Sequence, residues 1–177
     1  EIVTMPWDWP AIINYHESKA FAAWKTAKDG RSVPLRLLTE AEHHALRKEH
    51  ATGAGAADVR AAFHFLADSH YNNSLRHGSE TSVRGQGEIT DLFGNVWQWL
   101  EDHFHPLPSF QVHSFYDDFS TPCYDGLHQM IMGGSFISAG DEASLHARFH
   151  FRPHFGQHAG CRLVDPLSAQ NDGSVAR

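Results

Sequence analysis

Cysteine is scarce in this chain, which contains only Cys123 and Cys161 among its 177 residues. Two cysteines cannot form the disulfide framework of a small secreted domain, so free thiols in a reducing compartment are the simpler expectation, with a single disulfide as the alternative. The chain also lacks an apolar run near the roughly 20 residues of a membrane-spanning helix, and its start does not resemble a targeting signal. We therefore expect a cytoplasmic protein that does not enter a membrane.

Runs of lysine and arginine are absent too, and the formal net charge is -7. This charge disfavours nucleic acids and anionic membranes as partners, because both attract clustered positive charge. Small polar ligands fit better. A hydrophobic content of 41% is enough for a real core, so the length predicts one domain, residues 1–166, followed by a polar tail or linker, residues 167–177.

The apolar pattern predicts two helices early in the chain. Apolar residues recur at helical spacing from about residue 9 to residue 28, and Gly30 supplies a stop. Thr39 and Glu42 stand in the relation of a capping box, in which each side chain accepts from the other residue's amide. A second helix should therefore begin near Glu40.

Long loops and short strands are expected in the remainder. One short helix is expected in "DVRAAFHFLADSH", before a loop that reaches Glu88. Gly94-Asn95 favours a turn leading into Trp97 and Trp99, which we expect in the core. The segments "HQMIMGGSFIS" and "GCRLV" have the apolar content of strands.

Histidine recurs at every fourth position from His146 to His158 in "HARFHFRPHFGQH". On a helix this spacing would stack four imidazoles on one face and would indicate a metal site. Pro153 and the alternating pattern favour a strand instead, along which four such histidines extend beyond the coordination sphere of one ion. We expect a pocket wall and scaffold rather than a metal cage.

Three stretches, "RLLTEAEHHALR", "DLFGNVWQWLED" and "GGSF" followed by "AGCRLV", resemble the domain shared by formylglycine-generating enzymes and sulfoxide synthases of thiol-histidine biosynthesis. The resemblance implies an α+β fold, a variant of the C-type-lectin-like fold with little regular structure, two early helices and a small antiparallel sheet. Formylglycine-generating enzymes bind copper through two cysteines. Ser138 and Ala143 stand at the corresponding positions here and supply no thiolate, so formylglycine generation is not expected.

Longer stretches, among them "YDDFSTPCYDG" and "HQMIMGGSFISAGDEAS", resemble the family of 5-histidylcysteine sulfoxide synthases of ovothiol biosynthesis. This resemblance implies an oxidoreductase that joins L-cysteine to L-histidine with O2, using non-heme Fe(II). Its alternatives are an ergothioneine-type synthase, which takes trimethylated histidine, and a non-catalytic lectin-like ligand-binding module.

The iron ligands of that family lie on an N-terminal helical domain and include a His-x-x-x-His-x-Glu motif. His146 and His150 have the first spacing, but Arg152 stands where the glutamate would be. The resemblance therefore implies that this chain is an N-terminally incomplete piece or one domain of a longer enzyme. The expected partners are the iron-binding domain and a C-terminal methyltransferase domain.

The resemblance also implies roles for single residues. Tyr116 best matches the family's proton-donating tyrosine, with Tyr124 as the second choice. The proposed substrate-binding residues are Arg148, Arg152, His150 and Phe149, because guanidinium groups hold amino-acid carboxylates well. The alternative for the arginines is a scaffold role, paired with Asp117, Asp118 or Asp141.

A structural calcium site is implied as well, at Asp91, the carbonyls of Gly94 and Val96, and Gln98. Calcium prefers several oxygen ligands, and an amide at Gln98 in place of a carboxylate weakens the site. Cys123 is either a reactive thiol near the active site or a small packing residue.

Overall fold

The computed structural model describes residues 7, 10–50, 92–138, 142 and 144–166. Two α-helices, six short strands and one 3₁₀ turn lie within these ranges, joined by long irregular segments. The helix predicted in "DVRAAFHFLADSH", the loop up to Glu88 and the tail after residue 166 lie outside the described residues and stay predictions. The predicted α+β class with little regular structure is confirmed.

Helix α1, Tyr15–Lys28, begins where Asn14 caps it. The Asn14 side chain accepts a hydrogen bond from the Glu17 amide at 2.9 Å, and the Glu17 carboxylate accepts one from the Asn14 amide at 2.8 Å. These reciprocal bonds satisfy two amide donors that lack partners within the helix. The predicted end at Lys28 is confirmed, but the predicted start near residue 9 is too early, because the chain becomes helical only after the cap.

Helix α2, Glu40–His50, begins where the sequence predicted. The Glu42 amide donates to Thr39 Oγ1 at 3.2 Å, and the Thr39 amide donates to Glu42 Oε2 at 2.9 Å, which confirms the capping box. A hydrogen bond from Arg36 lowers the pKa of Glu42 to about 2, so this carboxylate stays charged at neutral pH. No helix in the described part of the chain has both the length and the apolar character to cross a membrane.

The strands form two small sheets. They are β1 (Arg36–Leu37), β2 (Trp97–His103), β3 (Gln129–Met132), β4 (Arg148–Phe151), β5 (Ala159–Cys161) and β6 (Leu163–Val164). Four strands lie in the order β4-β3-β2-β5, and β1 pairs with β6. Most pairs are antiparallel, but β5 runs parallel to β2. The predicted antiparallel sheet is therefore corrected to a mixed one, since the long connection through β3 and β4 lets β5 return in the direction of β2.

Two further strand predictions are resolved by this topology. "GCRLV" is not one strand, because Arg162 separates β5 in the larger sheet from β6 in the smaller sheet. The segment around His150 is a strand, β4, whose residues pair with β3. The histidines from His146 to His158 therefore do not share a helix face.

The core lies at the centre of the larger sheet. Its fully buried side chains include Trp99, Leu100, Met130, Ile131 and Met132. The expectation that the tryptophans lie in the core is confirmed. Trp99 also donates from Nε1 to the carbonyl of Ile13 at 2.8 Å, which ties the segment before α1 to the sheet. A fully buried aromatic side chain of this size contributes roughly 3–5 kcal/mol to stability.

Two turns with positive φ meet beside this core. Gly94 and Asn95 have φ values of 72° and 61°, which confirms the turn predicted before β2. The Gly94 amide donates to the carbonyl of Gly133 at 2.7 Å, joining the turn to the end of β3. Gly133 has a φ of 97°, and a Cβ there would lie 2.8 Å from the carbonyl oxygen of Leu92, so only glycine fits.

Candidate functional site

The predicted catalytic Tyr116 lies on a long irregular segment, residues 104–120, which we call the Tyr116 loop. The Tyr116 amide donates to the carbonyl of His113 at 3.0 Å, so the backbone turns at this point. The side chain of Tyr116 is 65% exposed, and its ring centre lies 5.9 Å from that of Phe119. The phenol is therefore accessible to a substrate or a second domain.

The same loop exposes many large apolar side chains. Phe115 is 89% exposed and is the extreme case. The others are Leu107, Phe110, Val112, Tyr116 and Phe119. Single exposed apolar residues are common on protein surfaces, but six of them on one segment of 17 residues indicate a surface that contacts another molecule.

A cleft of about 510 Å³ lies between the Tyr116 loop and β4. Its walls combine aromatic rings with acidic and basic groups, and the lining residues are Trp97, Phe119, Glu142, Ser144, His146, Ala147, Arg148 and Phe149. This volume is within the range of small-molecule sites. Of the predicted substrate-binding residues, Arg148 and Phe149 line the cleft, whereas His150 and Arg152 are not among its lining residues.

Arg148 is held in place by Glu40 at the start of α2. Its Nε donates to Glu40 Oε1 at 2.5 Å and its Nη2 donates to Glu40 Oε2 at 3.1 Å. Nη2 also donates to the carbonyl of His105 at 3.0 Å. Burial acts to raise the pKa of Glu40, but the hydrogen bond and charge of Arg148, with the charges of His105 and His44, lower it below its usual value. The pair therefore orients the guanidinium beside the cleft.

Both predicted arginines have acidic partners, as the scaffold alternative expected. The partners differ from those predicted, because Arg148 pairs with Glu40 and Arg152 Nη2 lies 3.4 Å from Asp125 Oδ2. Of the acidic residues named from the sequence, Asp141 lies outside the described residues. Substrate binding by either arginine stays a prediction.

A second group of side chains, none of which lines the cleft, comes together near Phe104. Potential metal-ligating atoms of Cys123, His128 and His150 lie within 4.8 Å of one another. The His150 ring stacks on Phe104 with 4.3 Å between ring centres, and burial, with the charge of His128, lowers the pKa of His150 to about 4. His128 Nδ1 lies 2.9 Å from Asp125 Oδ1, and this hydrogen bond lowers the pKa of Asp125 to about 2. His150 is thus neutral at pH 7.

Of the residues of the predicted calcium site, Gly94 and Val96 lie at the turn before β2 and Gln98 lies in β2 itself. Gln98 is buried, and its Nε2 donates to the carbonyl of Leu92 at 2.8 Å. Its Oε1 accepts from Arg162 Nε at 3.3 Å, so a guanidinium already contacts the one side-chain oxygen expected from this residue. Asp91 lies outside the described residues. The calcium site stays a prediction.

The copper implied by formylglycine-generating enzymes fits the described residues poorly, whereas the iron ligands of the synthases are expected on another domain. Ser138 is buried, and its Oγ accepts from the Ser135 amide at 3.0 Å, so this position has a structural hydroxyl where copper would need a thiolate. Ala143 lies outside the described residues. For iron, the described part of the chain has no cluster of three histidines, and its one group of three potential ligands includes the thiol of Cys123.

Sequence reasoning missed three residues of this region, Glu40, Asp125 and His128. Glu40 pairs with a residue 108 positions away, and no local pattern indicates such a pair. A signal for His128 was present, because Cys123 and His128 are separated by four residues, a spacing compatible with two ligands on one turn.

Comparisons with known proteins identify the family of this chain and known structures with a similar fold. Residues 3–167 match the family model described as "Sulfatase-modifying factor enzyme 1-like domain". Comparison with curated proteins returns no match. The solved structure of Treponema denticola variable protein 1 is similar, with a TM-score of 0.63 and 16% identity over 86% of this chain and 69% of that one. PvdO from Pseudomonas aeruginosa is similar with a TM-score of 0.53 and 19% identity, over 88% of this chain and 61% of that one. At these identities the likeness concerns the fold alone, and it supports the fold predicted from the sequence.

Proposed function

Since the chain belongs to the family of sulfatase-modifying factor enzyme 1-like domains, we propose that it is the substrate-binding and catalytic domain of a non-heme iron sulfoxide synthase. The reaction joins the sulfur of cysteine to an imidazole carbon of histidine. The thiol S–H bond and the imidazole C–H bond break, and a C–S bond and an S=O bond form. One oxygen atom of O2 enters the sulfoxide and the other leaves as water, which balances the four electrons.

The observation that carries this proposal is the position of the Tyr116 loop beside the cleft. Phe119 of the loop lines the cleft, and the ring of Tyr116 lies next to Phe119. An exposed phenol next to a residue of the cleft wall can hold a proton at its oxygen and deliver it to a reacting group. The hydroxyl at Ser138 argues against formylglycine generation as the alternative chemistry of this fold.

The cleft has groups that suit zwitterionic amino acids. The carboxylate of Glu142 can accept hydrogen bonds from an amino group, and the aromatic faces of Trp97 and Phe149 can contact an imidazole. Arg148 contributes positive charge at the wall, in an orientation that Glu40 fixes. We do not assign substrate contacts to His150 and Arg152, because both lie outside the cleft lining.

We further propose that the exposed apolar side chains of the Tyr116 loop pack against an iron-binding helical domain. When bound there, Fe(II) would supply the activation of O2. The part contributed by this chain is to hold the two amino acids in the cleft, to exclude water with Phe115 and Phe119, and to present the Tyr116 hydroxyl. This arrangement predicts that the chain needs the second domain for activity.

The test is an aerobic assay of the full natural protein that contains this chain, with Fe(II), a reductant, cysteine and histidine. We expect a histidine-cysteine sulfoxide, identified by mass spectrometry. Tyr116→Phe should lower sulfoxide formation by about a hundredfold, the usual effect of losing a positioned proton donor, and should divert cysteine to its sulfinate. A parallel assay with trimethylated histidine distinguishes an ergothioneine-type enzyme.

Tyr124→Phe is the matched control, because Tyr124 packs between Phe104 and Phe110, with ring centres 5.0 and 5.6 Å away, and its hydroxyl has no assigned role. This variant should retain sulfoxide formation. If the parent protein binds iron but forms no product from either histidine, the synthase proposal is wrong and a ligand-binding module takes its place.

A further inference from the structure

We propose that Cys123, His128 and His150 form a binding site for a thiophilic divalent metal ion, best matched by Zn²⁺ and separate from the iron site proposed above. The three residues come from different segments: the 3₁₀ turn Thr121–Cys123, the connection to β3, and β4. Their potential ligand atoms lie within 4.8 Å of one another. A thiolate with two imidazoles is a donor set that zinc uses in proteins, with water as the fourth ligand.

The spacing is close to what coordination requires. Zinc–sulfur and zinc–nitrogen bonds of about 2.3 and 2.0 Å place tetrahedral ligand atoms roughly 3.3–3.6 Å apart. A separation at the observed upper limit of 4.8 Å therefore has to shorten by about 1.2–1.5 Å. Rotation of the Cys123 side chain would achieve this, since the contact of its Sγ with the carbonyl of Phe119, at 3.8 Å, is weak.

The surroundings of the histidines are those of metal-ligating imidazoles. His128 Nδ1 lies 2.9 Å from Asp125 Oδ1. In the neutral tautomer in which Nδ1 donates to this carboxylate, Nε2 has the lone pair that a metal would need. In zinc sites, the ring nitrogen of a histidine ligand that does not bind the metal usually donates a hydrogen bond to a carboxylate or carbonyl, which orients the ring. Arg152 lies 3.4 Å from the other oxygen of Asp125 and holds that carboxylate in turn.

His150 provides a second, independent observation that points to a ligand at this position. Its Nδ1 is buried and has no hydrogen-bond partner among the described residues. A buried polar atom of this kind costs stability unless something bonds to it. The ring is also held in place, by stacking on Phe104 at 4.3 Å between ring centres and by an edge contact with His128 at 4.9 Å.

A metal at this point would connect the Tyr116 loop to the sheet. Cys123 lies on the 3₁₀ turn that follows the loop directly, whereas His150 lies on β4, two residues of which line the cleft. The ion would therefore fix the end of the loop relative to the cleft, and its binding energy would stabilise the fold. This role does not require the ion to contact a substrate.

The test is titration of the metal-free chain with Co²⁺, which takes the place of Zn²⁺ and reports its ligands by absorption. We expect one tightly bound ion per chain, the intense visible bands of tetrahedral cobalt, and a thiolate-to-cobalt charge-transfer band. Zn²⁺ should displace the cobalt. Cys123→Ser should abolish the charge-transfer band, and Asp125→Asn should weaken affinity by about 10–100-fold while keeping the band.

Cys161→Ser and His154→Gln are the matched controls, because they alter a thiol and an exposed histidine outside the cluster. Both should bind cobalt as the parent does, and circular dichroism verifies that each variant folds. The proposal is overturned if the parent lacks the charge-transfer band or if Cys123→Ser retains it. Because the assay contains neither iron nor substrate, its outcome is independent of the synthase proposal.

Discussion

His43 is a fully buried ionisable side chain on α2, and its titration should control the acid stability of the domain. Its ring lies against Phe93 with 5.5 Å between centres. Burial lowers the pKa of His43 from 6.5 to about 4, and the neighbouring charges of His44, Arg47 and Arg162 add to this effect. The imidazole is therefore neutral in the folded protein at pH 7.

The sign of the effect follows from where the proton binds. Between pH 6.5 and about 4 the unfolded chain binds a proton at His43 that the folded chain does not. The stabilisation is thus fully present above pH 6.5 and is lost as the pH falls through this window. At about 1.4 kcal/mol for each pKa unit the full loss is about 3 kcal/mol, of which about 2 kcal/mol appears between pH 7.5 and pH 5.

The assay is urea unfolding at about pH 7.5 and pH 5 for the parent, His43→Gln and His43→Leu. Both variants should lose about 2 kcal/mol less than the parent between the two values, whatever their absolute stability, because the loss due to His150, whose pKa is also lowered to about 4, is common to all three. His154→Gln, at an exposed position, should behave as the parent does. An equal pH dependence in the parent and both His43 variants would refute the reasoning.

Two further predictions concern stability. Glu40→Gln leaves the half-buried guanidinium of Arg148 without its carboxylate and should lower the free energy of unfolding in urea by about 3 kcal/mol. The control Asp29→Asn, which breaks an exposed pair with Lys25, should lower it much less. A similar loss for both variants would contradict a stabilising role for the Arg148–Glu40 pair. Gly133→Ala places a Cβ 2.8 Å from a carbonyl oxygen at a φ of 97° and should cost at least about 1–3 kcal/mol, seen as a lower melting temperature. Gly156→Ala meets no atom within 4 Å and should be nearly neutral, so equal melting temperatures for the two variants would refute the steric argument.

Local signals in the sequence predicted the elements that depend on neighbouring residues. The capping box of Thr39 and Glu42 located the start of α2, because both hydrogen bonds lie within four residues. Gly94-Asn95 indicated the turn before β2 for the same reason, since its positive φ values are a property of the residues themselves. The capping box at Asn14 was equally local and was overlooked, which is why α1 was predicted to begin too early.

Features that depend on distant residues could not be predicted in this way. The parallel pairing of β2 with β5 joins Trp97 to Ala159 and depends on the path of the chain through β3 and β4. Arg148 and Glu40 are 108 positions apart, so the sequence analysis predicted aspartates closer to Arg148 in the chain as its partners. In both cases the partner is decided by tertiary packing, which local pattern does not encode.

The strand β4 explains why the histidine pattern was difficult to interpret. Its consecutive residues contribute to different surroundings: Phe149 packs with Trp97 in the core beside the cleft, whereas His150 stacks on Phe104 next to Cys123 and His128. A spacing of four along a strand is therefore not evidence for one shared site. His150 lies near Cys123 and His128 for two reasons. Successive side chains of a strand point to opposite faces, and the 3₁₀ turn brings the chain back to the face on which His150 lies. The residues to consider as its co-ligands thus come from that turn and the connection after it, rather than from the other histidines of the same segment.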